Sequence, residues 1–291
     1  MERVDLLASL AFYGTAYGMI LYLLALGLSV TLGLMRFVNL AHGVFAMTGG
    51  YITVTAMSRF GLPFLPSVLL AVILVAAVGT VLERVLYRRF YGAPILDQVL
   101  LSIALIFISI ATARYFYGSL AQPIALPPWL SGRIDIGIGT FPAYRVFLIA
   151  MGSLVALGIW LGIERSRFGA SVRAAVDNRQ MAESVGINVT RIFTICFALG
   201  TGLAALGGSL GADLLPIYPG YPNDYLVYFL IVVAVAGMGN IGGAFAVALS
   251  FGIVDTTIRY FLPEAGRILI LLIVMAVLFR KPYGFAPKIH A

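Results

Sequence analysis

Few residues in this chain are equipped for chemistry. Its only histidines are His42 and His290, too few for a multi-histidine metal centre. Its single cysteine, Cys196, lies in an apolar run, where a lone thiol reads as a small buried hydrophobe. The only lysines, Lys281 and Lys288, stand near the C-terminus and follow no GxxxxGK[ST] phosphate cradle. There is no HExxH, and no GxSxG paired with a histidine partner. The sequence therefore predicts no catalytic residue, no metal site and no cofactor held by this chain. An ion-coupled device would need titratable groups in the membrane interior. Nearly all of the 12 acidic residues fall in loops or at the ends of apolar runs; Asp255 is the one well inside a run, and Arg259 stands four residues on, on the same helical face.

The elements that carry these residues are set by composition. Of 291 residues, 61% are hydrophobic and 11% charged. A soluble domain has about 25% charged residues, and disorder needs low hydrophobicity, so both classes are excluded. Apolar runs fall near 6–33, 40–58, 66–86, 97–117, 143–163, 192–212, 224–238, 243–260 and 266–279. They are continuous rather than alternating, which predicts helices, and about 20 residues span the hydrocarbon core. The expected fold is an all-α polytopic membrane protein of about 8–9 transmembrane helices. It fills residues 1–291 as a single transmembrane domain, with no cleavable signal peptide. Arg36, the segments 84–97 and 164–191, and the tail from Arg280 carry twelve of the nineteen basic residues. Positive-inside logic then places the C-terminus in the cytoplasm and the N-terminus outside. The basic residues are scattered, so no nucleic-acid partner is expected.

Two polar breaks interrupt the apolar runs. The first runs from Gly33 through Asn39, His42 and Gly43; the second is Gly237-Met-Gly239-Asn240-Ile-Gly-Gly243. Backbone freed in a membrane must be satisfied by protein or line a cavity, so Asn39, His42, Gly43, Gly237, Gly239, Asn240 and Gly243 are candidates for a translocation path. Asn39 and His42 fit equally well as polar groups tying up a cytoplasmic turn. The breaks share a small-Phe-Ala step after an asparagine, for which chance likeness of glycine-rich text is a simpler account than a repeat. Ala198 to Gly211 is dense in small residues four apart, which predicts close helix packing. The loops 118–142 and 213–223 are rich in proline, glycine and aromatics, and suit either docking or simple connection.

The longest polar stretch is 164–191, ERSRFGASVRAAVDNRQMAESVGINVTR. It predicts one cytoplasmic helix at about 171–186, supported by Arg173–Asp177 and Arg179–Glu183 pairs and stopped at Gly186. Its apolar face is shallow. That suits a docking element, although a solvated linker helix has the same composition.

Within it, Arg173-Ala174-Ala175-Val-Asp177-Asn178-Arg179-Gln-Met181-Ala182-Glu183-Ser-Val-Gly186-Ile187-Asn188 resembles the ATPase-coupling motif of permease subunits from bacterial ABC importers, most of all the LivH-type branched-chain amino acid permeases. Asn39-Leu-Ala-His42-Gly43 resembles that family's Asn-Phe-Ala-His-Gly signature, and Val235 to Ala244 its glycine-rich run, with Met238 and Asn240 in place of the usual Gly and Ser. The resemblance implies a type II-like ABC importer permease in the bacterial inner membrane. It implies a second homologous permease, two cytoplasmic ATPases that bind ATP and magnesium, and a periplasmic binding protein delivering branched-chain or other hydrophobic amino acids. Urea and short-amide importers carry much the same motifs. A secondary transporter and a passive channel for a small neutral solute are the rival classes.

Overall fold

The computed structural model describes residues 2–285, except Arg36, Val38, Ile136, Ile138, Met238, Pro282 and Tyr283. Of the residues used above, Arg36, Met238, Lys288 and His290 lie outside the described set. Nine long helices coincide with the nine apolar runs among the described residues: α1 (Glu2–Met35), α2 (His42–Phe60), α3 (Phe64–Val85), α4 (Ile95–Tyr117), α6 (Ala143–Ile159), α9 (Val189–Gly211), α10 (Tyr221–Ala236), α11 (Ile241–Phe261) and α12 (Gly266–Arg280). Three short helices lie between them, α5 (Pro128–Ser131), α7 (Arg167–Asp177) and α8 (Arg179–Ser184), with one hairpin of β1 (Arg133–Asp135) and β2 (Thr140–Pro142).

Six segments are long and apolar enough to cross a membrane, in α1, α3, α4, α6, α9 and α11. This is a multi-pass membrane protein. α10 and α12 are only about 24 and 22 Å long at 1.5 Å per residue, short of a core of about 30 Å. α2 is long enough, but His42, three threonines and three glycines dilute its apolarity.

α1 is the central element. In its most apolar stretch 83% of the residues are buried inside the protein, against 17% for α4 and for α6. It packs along both α9 and α11, with α6 and α10 closing its other sides, while α2 and α3 lie against α9 and α12 against α11. Glycine makes this closeness possible. A Cβ on Gly252 would stand 2.4 Å from the Gly14 carbonyl oxygen and 2.5 Å from the Gly18 backbone nitrogen. A Cβ on Gly208 would stand 2.0 Å from the Ala46 carbonyl oxygen. With no side chain intervening, backbones touch, and van der Waals packing replaces the hydrophobic drive that lipid does not supply. The small residues of α9 are thus the packing surface they were expected to be, and Cys196 is buried beside them. The Gly14-x-x-x-Gly18 step on α1 is a second such surface that the sequence reading passed over.

The two proline-rich connections are joined to each other. The Gln122 amide donates to the Ile217 carbonyl at 2.8 Å; the Tyr144 hydroxyl of α6 donates to the Leu210 carbonyl of α9 at 2.6 Å.

Replacing Gly252 with valine is expected to cost about 1–3 kcal/mol through overpacking. The measurement is the thermal midpoint of the detergent-solubilised protein. Gly158→Ala, in open space on α6, should leave that midpoint level or raised.

Candidate functional site

The 164–191 stretch is not one helix. α7 ends at Asp177 and α8 begins at Arg179, with Asn178 extended between them at φ −148°. The cause is local. The Asn178 side-chain oxygen accepts the Met181 N–H at 2.9 Å, so the amide competes with the helical backbone and caps a new helix. The expected Arg173–Asp177 pair is also absent. α6 runs into a π-helical turn at Trp160–Glu164, which leaves the Ile163 carbonyl without a helical partner. Arg173 donates to that carbonyl at 2.9 Å instead. The Arg179–Glu183 pair does form, at 2.9 Å, exposed and worth little by itself.

α8 closes as the sequence predicted, at Gly186. That residue takes φ +86°, the left-handed conformation a side chain disfavours. Its N–H donates to Glu183 and the Ile187 N–H to Ala182, both carbonyls of α8. Asn188 then caps α9 by accepting the Arg191 N–H at 2.9 Å. Several motif residues therefore serve the protein's own fold. Ala175 and Ala182 are buried with Val172, and Ala174 and Ile187 are half-buried. Among the exposed residues of α8 and its C-cap, two are apolar: Met181 is 64% exposed and Val185 71%. They stand four apart on one face, flanked by exposed Arg179 and Glu183. Beside them a cleft of about 470 Å³ runs between Ala175–Gln180 and the side chains of Met35, Tyr91 and Phe193.

Beneath this surface sits an acidic group that falls at the end of an apolar run. Glu83 is in the last turn of α3 and 0% exposed. Arg88 donates to both its oxygens, at 3.2 and 3.0 Å. Tyr91 donates at 2.9 Å and Thr194 of α9 at 2.8 Å. Hydrogen bonding to Glu83 raises the Arg88 pKa, and burial beside the same carboxylate raises that of Tyr91. Both therefore keep their protons and remain donors. A buried charge is tolerated only when so paired. The cluster ties α3 to the start of α9, alongside α8. Its sequence signal was Glu83 five residues before Arg88, too long for a helical pair and legible only across the 3₁₀ turn Tyr87–Phe90.

The two polar breaks come together. Gly239, at φ +78°, lies against the Gly33 backbone, where its Cβ would stand 3.3 Å from the Gly33 Cα. Gly237 ends α10 at φ +89°, and Asn240 caps α11 by accepting the Gly243 N–H at 2.8 Å. Asn39 is buried, its oxygen accepting from the Ala41 N–H and the Tyr87 hydroxyl. His42 is not at the end of α1. Its Nε2 meets the Leu24 carbonyl at 3.0 Å, eleven residues before Met35, or about 16 Å back along the helix. α2 thus starts inside the bundle, and Gly43 faces Pro222 at the start of α10. Irregular backbone at that depth is sheltered by protein, as a membrane requires.

Comparison with known proteins gives the family. A family model described as "Branched-chain amino acid transport system / permease component" matches residues 10–278. The chain belongs to this permease family. It is 29% identical over 257 residues to the high-affinity branched-chain amino acid transport system permease protein BraD of Pseudomonas aeruginosa, covering 83% of each chain. It is 26% identical over 279 residues to the probable branched-chain amino acid transport permease protein LivH of Methanocaldococcus jannaschii, covering 92% of this chain and 89% of that one. It is 26% identical over 298 residues to LivH of Escherichia coli K12, covering 94% and 93%. In fold it is similar to PsaBC from Streptococcus pneumoniae, solved with a Fab, at a TM-score of 0.50 and 14% identity over 95% of this chain and 91% of that one.

Glu83→Gln should lower stability by about 1–3 kcal/mol, because it leaves buried donors facing a weaker acceptor. The thermal midpoint measures it, and adding Arg88→Gln to the same chain should recover part of the loss.

Proposed function

We propose that this chain is a non-catalytic permease subunit of an ATP-driven ABC importer for branched-chain or other hydrophobic amino acids, sited in the inner (cytoplasmic) membrane. The observation that carries this reading is the exposed Met181–Val185 pair on α8, a preformed apolar knob on the one long polar segment of a membrane protein. Family membership supports the solute class.

On this reading α7 and α8 face the cytoplasm and together are the coupling element, a two-helix form of the segment expected at 171–186. The N-terminus lies outside, the C-terminus inside, and the bundle is a type II-like permease domain. Two cytoplasmic ATPases bind ATP and magnesium and dock on Met181 and Val185. A loaded periplasmic binding protein docks on the joined loops 118–142 and 213–223, and a second homologous permease completes the path. ATPase closure pushes α8. The Glu83 cluster passes the displacement to α3 and α9, and through backbone contact to α1. The two breaks, Asn39–Gly43 and Gly237–Gly243, are where the bundle gives, because their backbone is already outside regular helix.

The reading is tested by uptake into proteoliposomes. Leucine should enter only with ATPases, ATP and loaded binding protein present. Transport by this chain alone under a proton or sodium gradient would replace it with a secondary transporter, and conduction of urea without ATPases with a channel. The Asp255 carboxylate, already paired with Arg259 at 2.7 Å, gives the secondary-transporter reading little support.

Met181→Glu and Val185→Glu should each abolish uptake and its stimulation of ATP hydrolysis, with the protein still inserted and monodisperse on gel filtration. Ala182→Glu should instead lose folded protein, because that side chain is buried.

A further inference from the structure

At the end of the bundle opposite α7 and α8, a pocket of about 430 Å³ opens between α1, α6, α10 and α11. Its size falls in the range of small-molecule sites, about 300–1,000 Å³. Four charged side chains line it: Arg145, Asp224, Asp255 and Arg259. Their signs cancel. A neutral charge set of this kind offers no net attraction to an anion or a cation, yet holds both signs at fixed places.

Two of the four have bonding capacity to spare. Asp255 is 1% exposed. One of its oxygens takes the Arg259 guanidinium at 2.7 Å, and Arg259 also donates to the Tyr228 hydroxyl at 3.1 Å. The other oxygen, Oδ1, is buried with no hydrogen-bond partner. An unpaired oxygen of a buried carboxylate is costly, so the site is one donor short. Arg145 has no carboxylate within ion-pair distance among the described residues, Asp213 acting on it only from farther off, and it lies 5.6 Å from the Tyr13 ring centroid. Asp224, by contrast, already accepts from the Tyr218 hydroxyl. Leu214, Leu215 and the Tyr17 ring supply apolar wall. Tyr225, also in the lining, has its ring tilted 4.6 Å from that of Tyr221, whose buried hydroxyl has no partner.

We propose that this pocket binds the zwitterionic head of an α-amino acid, its carboxylate on Arg145 and its ammonium on Asp255, with an apolar side chain against Leu214 and Leu215. The ammonium supplies the donor that Asp255 Oδ1 lacks. The carboxylate supplies the acceptor that Arg145 lacks, in the bidentate geometry a guanidinium favours. This rests on the reading of the chain as an amino-acid permease and gives it a receiving site at the outer mouth of the path.

The test uses thiol labelling of the full-length permease in membranes. Leu214→Cys puts a thiol in the pocket wall, and Tyr218→Cys serves if the first variant folds poorly. The native Cys196 is buried, so a membrane-impermeant cationic thiol reagent reads the new site alone. L-Leucine at about ten times its dissociation constant should slow labelling about tenfold by mass action. Leucinamide, without the carboxylate, and 4-methylpentanoate, without the ammonium, should protect far less. Arg145→Gln should abolish protection by leucine, and Arg145→Lys should keep part of it. Labelling unchanged by leucine, or equal protection by all three compounds, overturns the proposal. Uptake by the complete importer is measured in parallel. Normal ATP-dependent leucine uptake with no protection sinks the pocket alone, whereas absent uptake sinks the permease reading itself.

Discussion

The bundle depends on α1 meeting α9 and α11 backbone to backbone. A helix 83% buried along its apolar stretch, in a protein immersed in lipid, gains nothing from being hidden as such, because its neighbours are no more apolar than the tails they displace. It is held by dispersion over short distances. Those distances exist because Gly14, Gly18 and Gly252, between α1 and α11, and Gly27 and Gly200, between α1 and α9, present no side chain. An interface so built has few intermediate positions. A side chain can adjust its rotamer, but two backbones at contact can only slide together or separate. Close glycine contact therefore favours motion of α1, α9 and α11 as a stack over deformation within it.

Around that stack the irregular pieces are placed where the structure can shelter them. α2 begins in the interior because His42 bonds to the Leu24 carbonyl, and α10 begins beside it. The second break leans on Gly33 at the other end of α1. The Phe285 N–H then satisfies the Val235 carbonyl near the end of α10. Each break is thus tied to α1 rather than hanging in a loop. The same logic places Glu83. Its carboxylate, with donors from Arg88, Tyr91 and Thr194, fixes the inner end of α3 to α9, and α8 packs on α9 as well. On the proposed reading, a force on α8 reaches α1 through its packing on α9 and the backbone contact of α9 with α1.

How much of this could be read beforehand follows from the range of each interaction. The nine helices were legible because apolarity is a property of continuous sequence, and Gly186 because a left-handed stop has its own residue. The Arg179–Glu183 and Asp255–Arg259 pairs were legible at helical spacing. The break at Asn178 was harder, since it turns on one side chain choosing the Met181 N–H over solvent. Arg173 was misassigned because its acceptor, Ile163, is a carbonyl exposed by a π-helical turn that no residue type announces. The depth of His42 and the enclosure of Glu83 are set by partners at Leu24 and Thr194, and one sequence without its contacts has no way to show them.

The placement of charge joins the two ends of the molecule. Between the Glu83 cluster and the Asp255–Arg259 pair, the long helices carry no Asp, Glu, Lys or Arg; their polar groups are hydroxyls, amides and His42. Under the proposed function, a zwitterion crossing such an interior would lose the ionic contacts proposed at the outer mouth and gain none until it reached the inner face. A fixed charge midway would hold the solute, and a buried unpaired one would cost several kcal/mol. An interior of this kind is quick to release but offers no driving force. The mouth can therefore select on the charged head while the passage stays indifferent to it. On the proposed reading, the work of moving between the two enters from outside the bilayer, at the polar segment that α7 and α8 hold in place.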